Sequence, residues 1–146
     1  AELLYREALA GRRAKLGDQH PNTLTSINNL GDLLRTIGNL KEAEPLFREA
    51  LAGRRAKLGD HHPNTLTSIN NLGSLLSRQG KLKEAEPLYR EALAGFRAKL
   101  GDQHPNTLTS INNLARLLRK QEKETDAKEL ERLKAPKKKM KFTLSL

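Results

Sequence analysis

Cysteine and valine are absent from this sequence of 146 residues, and aromatic residues make up only 3% of it. Without cysteine, the chain can form neither disulfides nor thiolate metal sites. Without valine it has little tendency to form strands. Leucine, alanine, glutamate, lysine and arginine dominate instead, and all five are strong helix formers. The composition therefore predicts an all-α protein.

Long apolar runs are also missing, since no stretch approaches the roughly 20 residues that cross a bilayer as a helix. We therefore expect no membrane span. The lack of cysteine and of glycosylation sequons favours a cytoplasmic protein. The formal net charge is +10, and much of the excess lies in one C-terminal cluster, Lys134, Lys137, Lys138, Lys139 and Lys141. This cluster makes a nuclear location the alternative expectation.

The main signal in the sequence is an internal repeat of 42 residues. Gly17, Gly59 and Gly101 each open the string Gly-Asp-x-His-Pro-Asn-Thr, and residues 17 to 58 differ from residues 59 to 100 at only eight positions. Such a period indicates an array of similar supersecondary units. We divide the chain into an isolated second helix (1 to 16), two repeats (17 to 58 and 59 to 100), a degenerate C-terminal repeat (101 to 134) and a basic tail (135 to 146).

Each repeat is predicted to contain two helices. The first begins at Pro21, and its apolar residues recur at steps of three and four, which produces one apolar stripe. These residues are Leu24, Ile27, Leu30, Leu34 and Ile37. Glycine at position 38 ends it, because glycine tolerates the left-handed turn found after helices. The second helix is expected from about residue 40 to residue 58, with Pro45 bending but not breaking it.

The histidines of the turns are predicted to cap helices and not to bind a metal ion or act in catalysis. His20, His62 and His104 stand at the same place in successive repeats, and packed helices lie roughly 10 Å apart, too far for one metal ion with ligand bonds near 2 Å. No nucleophile motif or phosphate-binding loop accompanies them. We therefore predict no enzymatic activity, no cofactor and no metal site.

The residues Leu30-Gly31, Leu34, Ala43, Phe47 and Ala50 resemble the tetratricopeptide signature, and the next repeat matches it in full. The 42-residue period and the Glu-Ala-Glu-Pro-Leu-Tyr string resemble the variant found in kinesin light chains. This resemblance implies a right-handed α-solenoid of antiparallel helix pairs, a tetratricopeptide-like superhelix. In such a fold the first helices line a concave groove that binds a peptide or a partner protein.

The resemblance also indicates which residues face the groove. Asparagine is both donor and acceptor, so a ladder of asparagines suits an extended peptide backbone, and the arginines favour an acidic partner. The predicted peptide-binding residues are Asn28, Asn29, Arg35, Asn70, Asn71, Arg78, Asn112, Asn113, Arg116 and Arg119.

The sequence supports a protein-interaction scaffold and leaves one alternative open, a purely structural or self-associating repeat fragment without a specific ligand. The first helical segment lacks its own partner helix, so Leu3, Leu4 and Tyr5 could support end-to-end homo-oligomers. Nucleic acid is an unlikely partner because stacking aromatics are missing. The tail, with its alternating Phe142-Thr143-Leu144-Ser145-Leu146, could act as a nuclear-import signal, bind an anionic surface or remain solvated.

Overall fold

The computed structural model describes residues 1–136, which form seven α-helices and no strand. The helices are α1 (Glu2–Leu16), α2 (Pro21–Thr36), α3 (Leu40–Leu58), α4 (Pro63–Arg78), α5 (Leu82–Leu100), α6 (Pro105–Lys120) and α7 (Glu124–Glu131), and a 3₁₀ turn follows at Arg132–Lys134. The predicted first and second helices are thus confirmed. Ile37, which was expected on the apolar stripe of the first helix, instead follows the end of α2 and is 60% exposed. The predicted tail lies outside the described residues from position 137 onward.

Histidine caps start the first helix of every repeat. Nδ1 of His20, His62 and His104 accepts a hydrogen bond from the backbone N–H two residues later, at 3.1, 3.0 and 3.1 Å. Proline occupies the first helical position, where its missing N–H has no intrahelical partner to lose. The His-Pro motif is therefore a helix start, which confirms the capping role expected from the sequence.

Positive φ angles mark the turn after each first helix. Gly38 has φ 89° and Gly80 has φ 79°, a region in which glycine has no steric penalty. The third repeat places Glu122 at this position, with φ 61°. That substitution is one way in which the C-terminal repeat departs from the other two. Pro45, by contrast, lies inside a continuous α3, so the helix is not broken there.

The helices form an all-α solenoid of antiparallel pairs. The pairs α2–α3, α4–α5 and α6–α7 make the repeats, and α1–α2, α3–α4 and α5–α6 join one unit to the next. Most contacts between helices therefore join helices that are adjacent in the sequence. Such an array has a thin core that continues from repeat to repeat.

Close helix crossings within the repeats depend on a glycine opposite an aromatic ring. A Cβ atom at Gly31 would lie 3.2 Å from the ring of Phe47, and one at Gly73 would lie 3.0 Å from Tyr89. In α6 the glycine is replaced by Ala115, and Glu131 stands where the aromatic residue would be. The C-terminal repeat has thus changed both partners of this contact, which accommodates the alanine methyl group.

The N-terminal helix is largely uncovered. Leu9 is the one residue of α1 that is buried, whereas Leu3 and Leu4 are 68% and 69% exposed. Tyr5 is 42% exposed, although Phe47, its equivalent in the next second helix, is completely buried. The helix therefore has an apolar face without a partner. No helix among residues 1–136 combines the length and hydropathy of a membrane span.

Candidate protein-binding face

All ten predicted peptide-binding residues lie on α2, α4 and α6, and we refer to them together as the first-helix face. Asn29, Arg78, Asn112, Arg116 and Arg119 are exposed, and the other five are partly buried. The 3.6-residue periodicity of the helices explains this arrangement, because the same helices bury their leucines and isoleucines on the side that packs against the second helices.

Asparagines connect the first two helices of this face. Asn71 Nδ2 donates to Asn28 Oδ1 at 3.3 Å, which links α4 to α2. Within residues 1–136 the equivalent link from α6 to α4 does not form, so Oδ1 of Asn70 is buried there without a hydrogen-bond partner. The asparagines therefore form one inter-helix bond between α2 and α4 and leave an unsatisfied acceptor between α4 and α6.

Arg35 lies at the centre of a polar cluster between α2 and α4. It forms an ion pair with Asp32 and donates from Nη1 to Ser74 Oγ at 3.0 Å. Tyr89, which is 4% exposed, forms a hydrogen bond with Ser74. Burial raises the pKa of Tyr89, and the Ser74 hydrogen bond and the nearby Arg35 and Arg116 charges offset part of that effect. Arg35 is thus largely occupied by groups of the protein itself.

Other cations of this surface have no acidic partner. Arg78 donates to the Arg35 carbonyl oxygen at 2.7 Å, and Lys120 donates to Ser77 Oγ at 3.4 Å. Arg116 forms no hydrogen bond with any other residue that the structure describes. Among residues 1–136, no carboxylate forms an ion pair with any of these three side chains. Arg119 differs from them, because it pairs with Glu124 and Glu131.

A cavity of about 250 Å³ opens at the C-terminal end of this face. Asn112, Ala115, Arg116, Arg119, Glu131 and Lys134 line it. Lys134, which was not among the predicted site residues, donates to Asn112 Oδ1 at 2.9 Å. A larger cleft of about 710 Å³ lies at the turn between α4 and α5, and no predicted site residue lines it.

The second helices show the opposite electrostatic pattern. Arg13 forms two hydrogen bonds with Glu49, at 2.7 and 2.8 Å, and Arg55 forms the same pair with Glu91, at 2.7 and 2.9 Å. Four other arginines of the second helices also form ion pairs, namely Arg6, Arg48, Arg90 and Arg97. The hydrogen bonds that Arg13 and Arg55 donate to Glu49 and Glu91 raise the pKa of both arginines. The charges of these six arginines are therefore neutralised by carboxylates of the chain.

These inter-repeat ion pairs were not predicted from the sequence, although it contains a signal for them. Arginine and glutamate stand 36 residues apart at 13 and 49 and again at 55 and 91. Such a spacing becomes meaningful only when the stacking of one second helix on the next is known. Among the residues that the structure describes, no group of three or more histidines or carboxylates is arranged to hold a metal ion.

Comparison with known proteins identifies the family. A sequence model described as tetratricopeptide repeat matches residues 1–56, 37–98 and 70–132, which together cover most of the chain. No curated protein sequence matches the chain.

Two solved structures illustrate the similarity of fold. A crystal structure from Podosopora anserina, named for kinesin light chain and its nearly identical TPR-like repeats, is 27% identical with a TM-score of 0.84. The match covers 90% of this chain and 63% of that one, so the chain spans less than two thirds of its length. BtubC (BKLC) from P. vanneervenii is 21% identical with a TM-score of 0.81, over 91% of this chain and 54% of that chain. The chain belongs to the tetratricopeptide repeat family, and its repeats are similar to those of kinesin-light-chain-like proteins.

Proposed function

We propose that this chain is a protein-interaction scaffold whose first-helix face binds an acidic peptide or an acidic segment of a partner protein. The family supports the general role, because tetratricopeptide repeats mediate interactions between proteins. In this family's arrangement the first helices form the concave side of the superhelix. The scaffold requires no catalytic group, and the proposal includes no enzymatic step.

The observation that carries the proposal is the unequal distribution of ion pairs. Arg78 and Arg116 of the first-helix face and the neighbouring Lys120 of α6 have no carboxylate partner among residues 1–136. Six arginines of the second helices do have one. Uncompensated positive charge on one surface attracts a partner of opposite charge and orients it during encounter. The asparagines alongside supply donors and acceptors for a peptide backbone.

The cavity beside Arg116 offers a place for an acidic side chain. Its lining combines Arg116, Arg119 and Lys134 with a single carboxylate, Glu131. A guanidinium can bind a carboxylate through two parallel hydrogen bonds, which gives geometric specificity as well as attraction. We expect a glutamate or aspartate of the partner to bind Arg116 here.

A selection from a diverse peptide library tests the proposal. We expect acid-rich peptides, and we expect their affinity to fall at least about tenfold in the double variant Arg78→Thr, Arg116→Ser, which removes two charge-assisted contacts. The substitutes are the residues at the equivalent positions of other repeats, Thr36 and Ser74, so the helix surface keeps residues that this fold already accepts.

The matched control is Arg48→Ala, Arg90→Ala, which removes the same formal charge from the second helices. It should leave the affinity within about twofold if the first-helix face is the binding surface. Peptides that bind both double variants equally well, or a selection without acidic enrichment, would contradict the proposal.

A second candidate function is self-association through α1, and the uncovered Leu4 and Tyr5 favour it. Apolar surface of this kind is typical of interaction sites. We expect the mass measured by light scattering to increase with protein concentration and to stay monomeric in Leu4→Glu, Tyr5→Ser. A wild-type chain that remains monomeric at millimolar concentration would exclude this function.

A further inference from the structure

The exposed side of α1 is the side with which second helices of this chain pack on a first helix. Tyr5 and Ala8 are exposed there, whereas their equivalents in α3, Phe47 and Ala50, are completely buried. Phe47 lies against Gly31 of α2, the first helix of its own repeat. Among residues 1–136 no first helix covers α1 in this way.

At the C-terminal end, α7 covers α6 poorly. α7 contains eight residues, of which Ala127 is buried, whereas α3 contains 19 residues and buries six of them. Glu131 stands in α7 where the other second helices have an aromatic residue. Leu108 of α6 is only partly buried, although its equivalents Leu24 and Leu66 are 1% exposed. α6 is therefore a complete first helix that packs on a short second helix.

One contact between the helices of a repeat has its glycine at one end of the chain and its leucine at the other. In the second repeat the glycine is Gly95 and the leucine is Leu66. Gly11 of α1 and Leu108 of α6 are the equivalent residues at the two ends. A Cβ atom at Gly11 would meet no atom within 4 Å. α1 thus presents the glycine of this contact, and α6 presents the leucine.

The series of ion pairs between successive second helices ends in a similar way. Arg55 binds Glu91, which lies 36 residues later, but the residue 36 positions after Arg97 is Leu133. Glu7 of α1 is the equivalent of Glu91, and it is exposed and forms no ion pair within residues 1–136. Arg97 near one end and Glu7 near the other are therefore complementary in charge and in their place in the repeat.

We propose that copies of this chain associate head to tail, with α1 of one copy replacing α7 of another copy against α6. In this head-to-tail interface Tyr5 packs at the helix crossing, Gly11 lies against Leu108 of the other copy, and Glu7 binds Arg97 of the other copy. The inference rests on the self-association through α1 proposed above, and it names the surface that receives α1.

The interface continues the order of helices in the solenoid, because α1 is followed by α2 of its own copy. The two surfaces differ, so the contact is heterologous and each assembly keeps one unoccupied surface of each kind. Growth therefore does not stop at a dimer. The bond between Arg97 and Asp102 is compatible with the interface, because Arg55 binds Asp60 and Glu91 together.

Charge reversal tests the interface in sedimentation equilibrium of the 146-residue chain. The average mass of the wild type should rise beyond that of a dimer with concentration. Glu7→Arg and Arg97→Glu each bring like charges together and should weaken association about tenfold. An equimolar mixture of the two variants should associate like the wild type, because each offers the other an opposite charge. Lys57→Glu is the control, since this exposed lysine of α3 forms no ion pair within the described chain.

Two further variants distinguish replacement of α7 from stacking beside it. A Cβ atom at Gly73 would lie 3.0 Å from the Tyr89 ring, so its equivalent in α6, Ala115, is a tight neighbour for Tyr5 of an incoming α1. Ala115→Gly should therefore strengthen association about threefold or more. Gly11→Ala should weaken it about tenfold, because the added methyl group meets a leucine of the other copy. Circular dichroism verifies that both variants are helical.

The outcomes separate this interface from self-association in general. Association that is lost in Leu4→Glu, Tyr5→Ser but unchanged by the two charge reversals would overturn the interface with α6 and leave self-association through α1 in place. A mass that stops at the dimer, or a mixture of the charge variants that does not recover, would do the same. A wild-type chain that stays monomeric at millimolar concentration would overturn both proposals.

Discussion

Gly11, Gly53 and Gly95 occupy the same position in three successive second helices, yet their surroundings differ. A Cβ atom at Gly53 would lie 2.4 Å from Leu24 Cδ2, and one at Gly95 would lie 2.4 Å from Leu66 Cδ2 and 3.1 Å from Leu66 Cγ. A Cβ at Gly11 would meet no atom within 4 Å. Glycine is therefore required in α3 and α5 by the first helix of the same repeat, and not by the helix in which it lies.

This difference predicts opposite effects for one substitution. Gly95→Ala should destabilise the chain by about 1–3 kcal/mol, because the branch point of a buried leucine must move. Gly11→Ala should stabilise it by about 0.5–1 kcal/mol, because glycine inside an exposed helix has an entropic disadvantage relative to alanine. Urea denaturation of both variants measures these changes. Two changes of the same sign would show that the packing of the two helices within a repeat differs from the one described.

The sequence predicted the roles of individual residues well where a role depends on local geometry. The His-Pro caps and the glycines of the turns follow from rules that involve only neighbouring residues. The contacts of Arg54 could not be predicted, because its hydrogen bonds reach Asn64 and Ser68 on the next helix. Position 54 is arginine in one repeat and phenylalanine in the next, so sequence alone did not indicate whether it is buried.

Ion pairs between successive second helices connect the repeats at the scale of whole elements. Lys81 Nζ lies 3.2 Å from Glu44 Oε1, and Lys123 Nζ lies 3.1 Å from Glu86 Oε1. Burial alone would raise the pKa of Glu44 and Glu86, but these lysines, together with Arg48 and Arg90, outweigh it, so both pKa values are lowered.

Lowered pKa values predict a loss of stability in acid. A glutamate whose folded-state pKa is below its unfolded value, about 4.3, contributes stability above that pH and loses it as the pH falls through the folded-state pKa. The variant Lys81→Gln, Lys123→Gln should therefore be less stable at pH 7, by about 0.2–1 kcal/mol per pair. It should also lose less stability than the wild type between pH 5 and pH 3.

Denaturation midpoints at several pH values measure this effect. The matched control is Lys41→Gln, Lys83→Gln, which removes two equivalent exposed lysines that form no ion pair within residues 1–136. It should retain the acid sensitivity of the wild type. If both double variants respond to acid alike, net charge and not these two ion pairs determines the response.

The helices themselves were predicted almost to the residue, because strong caps and a regular apolar period agree in every repeat. The stacking of one helix pair on the next could be predicted only from the resemblance to the family. Stacking determines which groups meet from one repeat to the next, such as Asn71 with Asn28 or Arg55 with Glu91. The hydrogen bond between Asn71 and Asn28 is one consequence of stacking that the sequence did not predict.

At the scale of the whole molecule, ion pairs are distributed unequally between the first and the second helices. Six arginines of the second helices form ion pairs, four of them with a glutamate of the neighbouring repeat. On the first helices, Arg78, Arg116 and Lys120 have no acidic partner among residues 1–136. This division of ion pairs is the basis of the proposed scaffold function.

The most direct test of that division is an NMR titration of the ¹⁵N-labelled chain with an acidic peptide from the library selection. The account predicts that the largest shift changes occur in α4 and α6, with the Arg116 Nε–H and the Asn112 and Asn113 side-chain amides among them. Changes confined to α3 and α5, with the Arg116 signal unaffected at saturation, would contradict it.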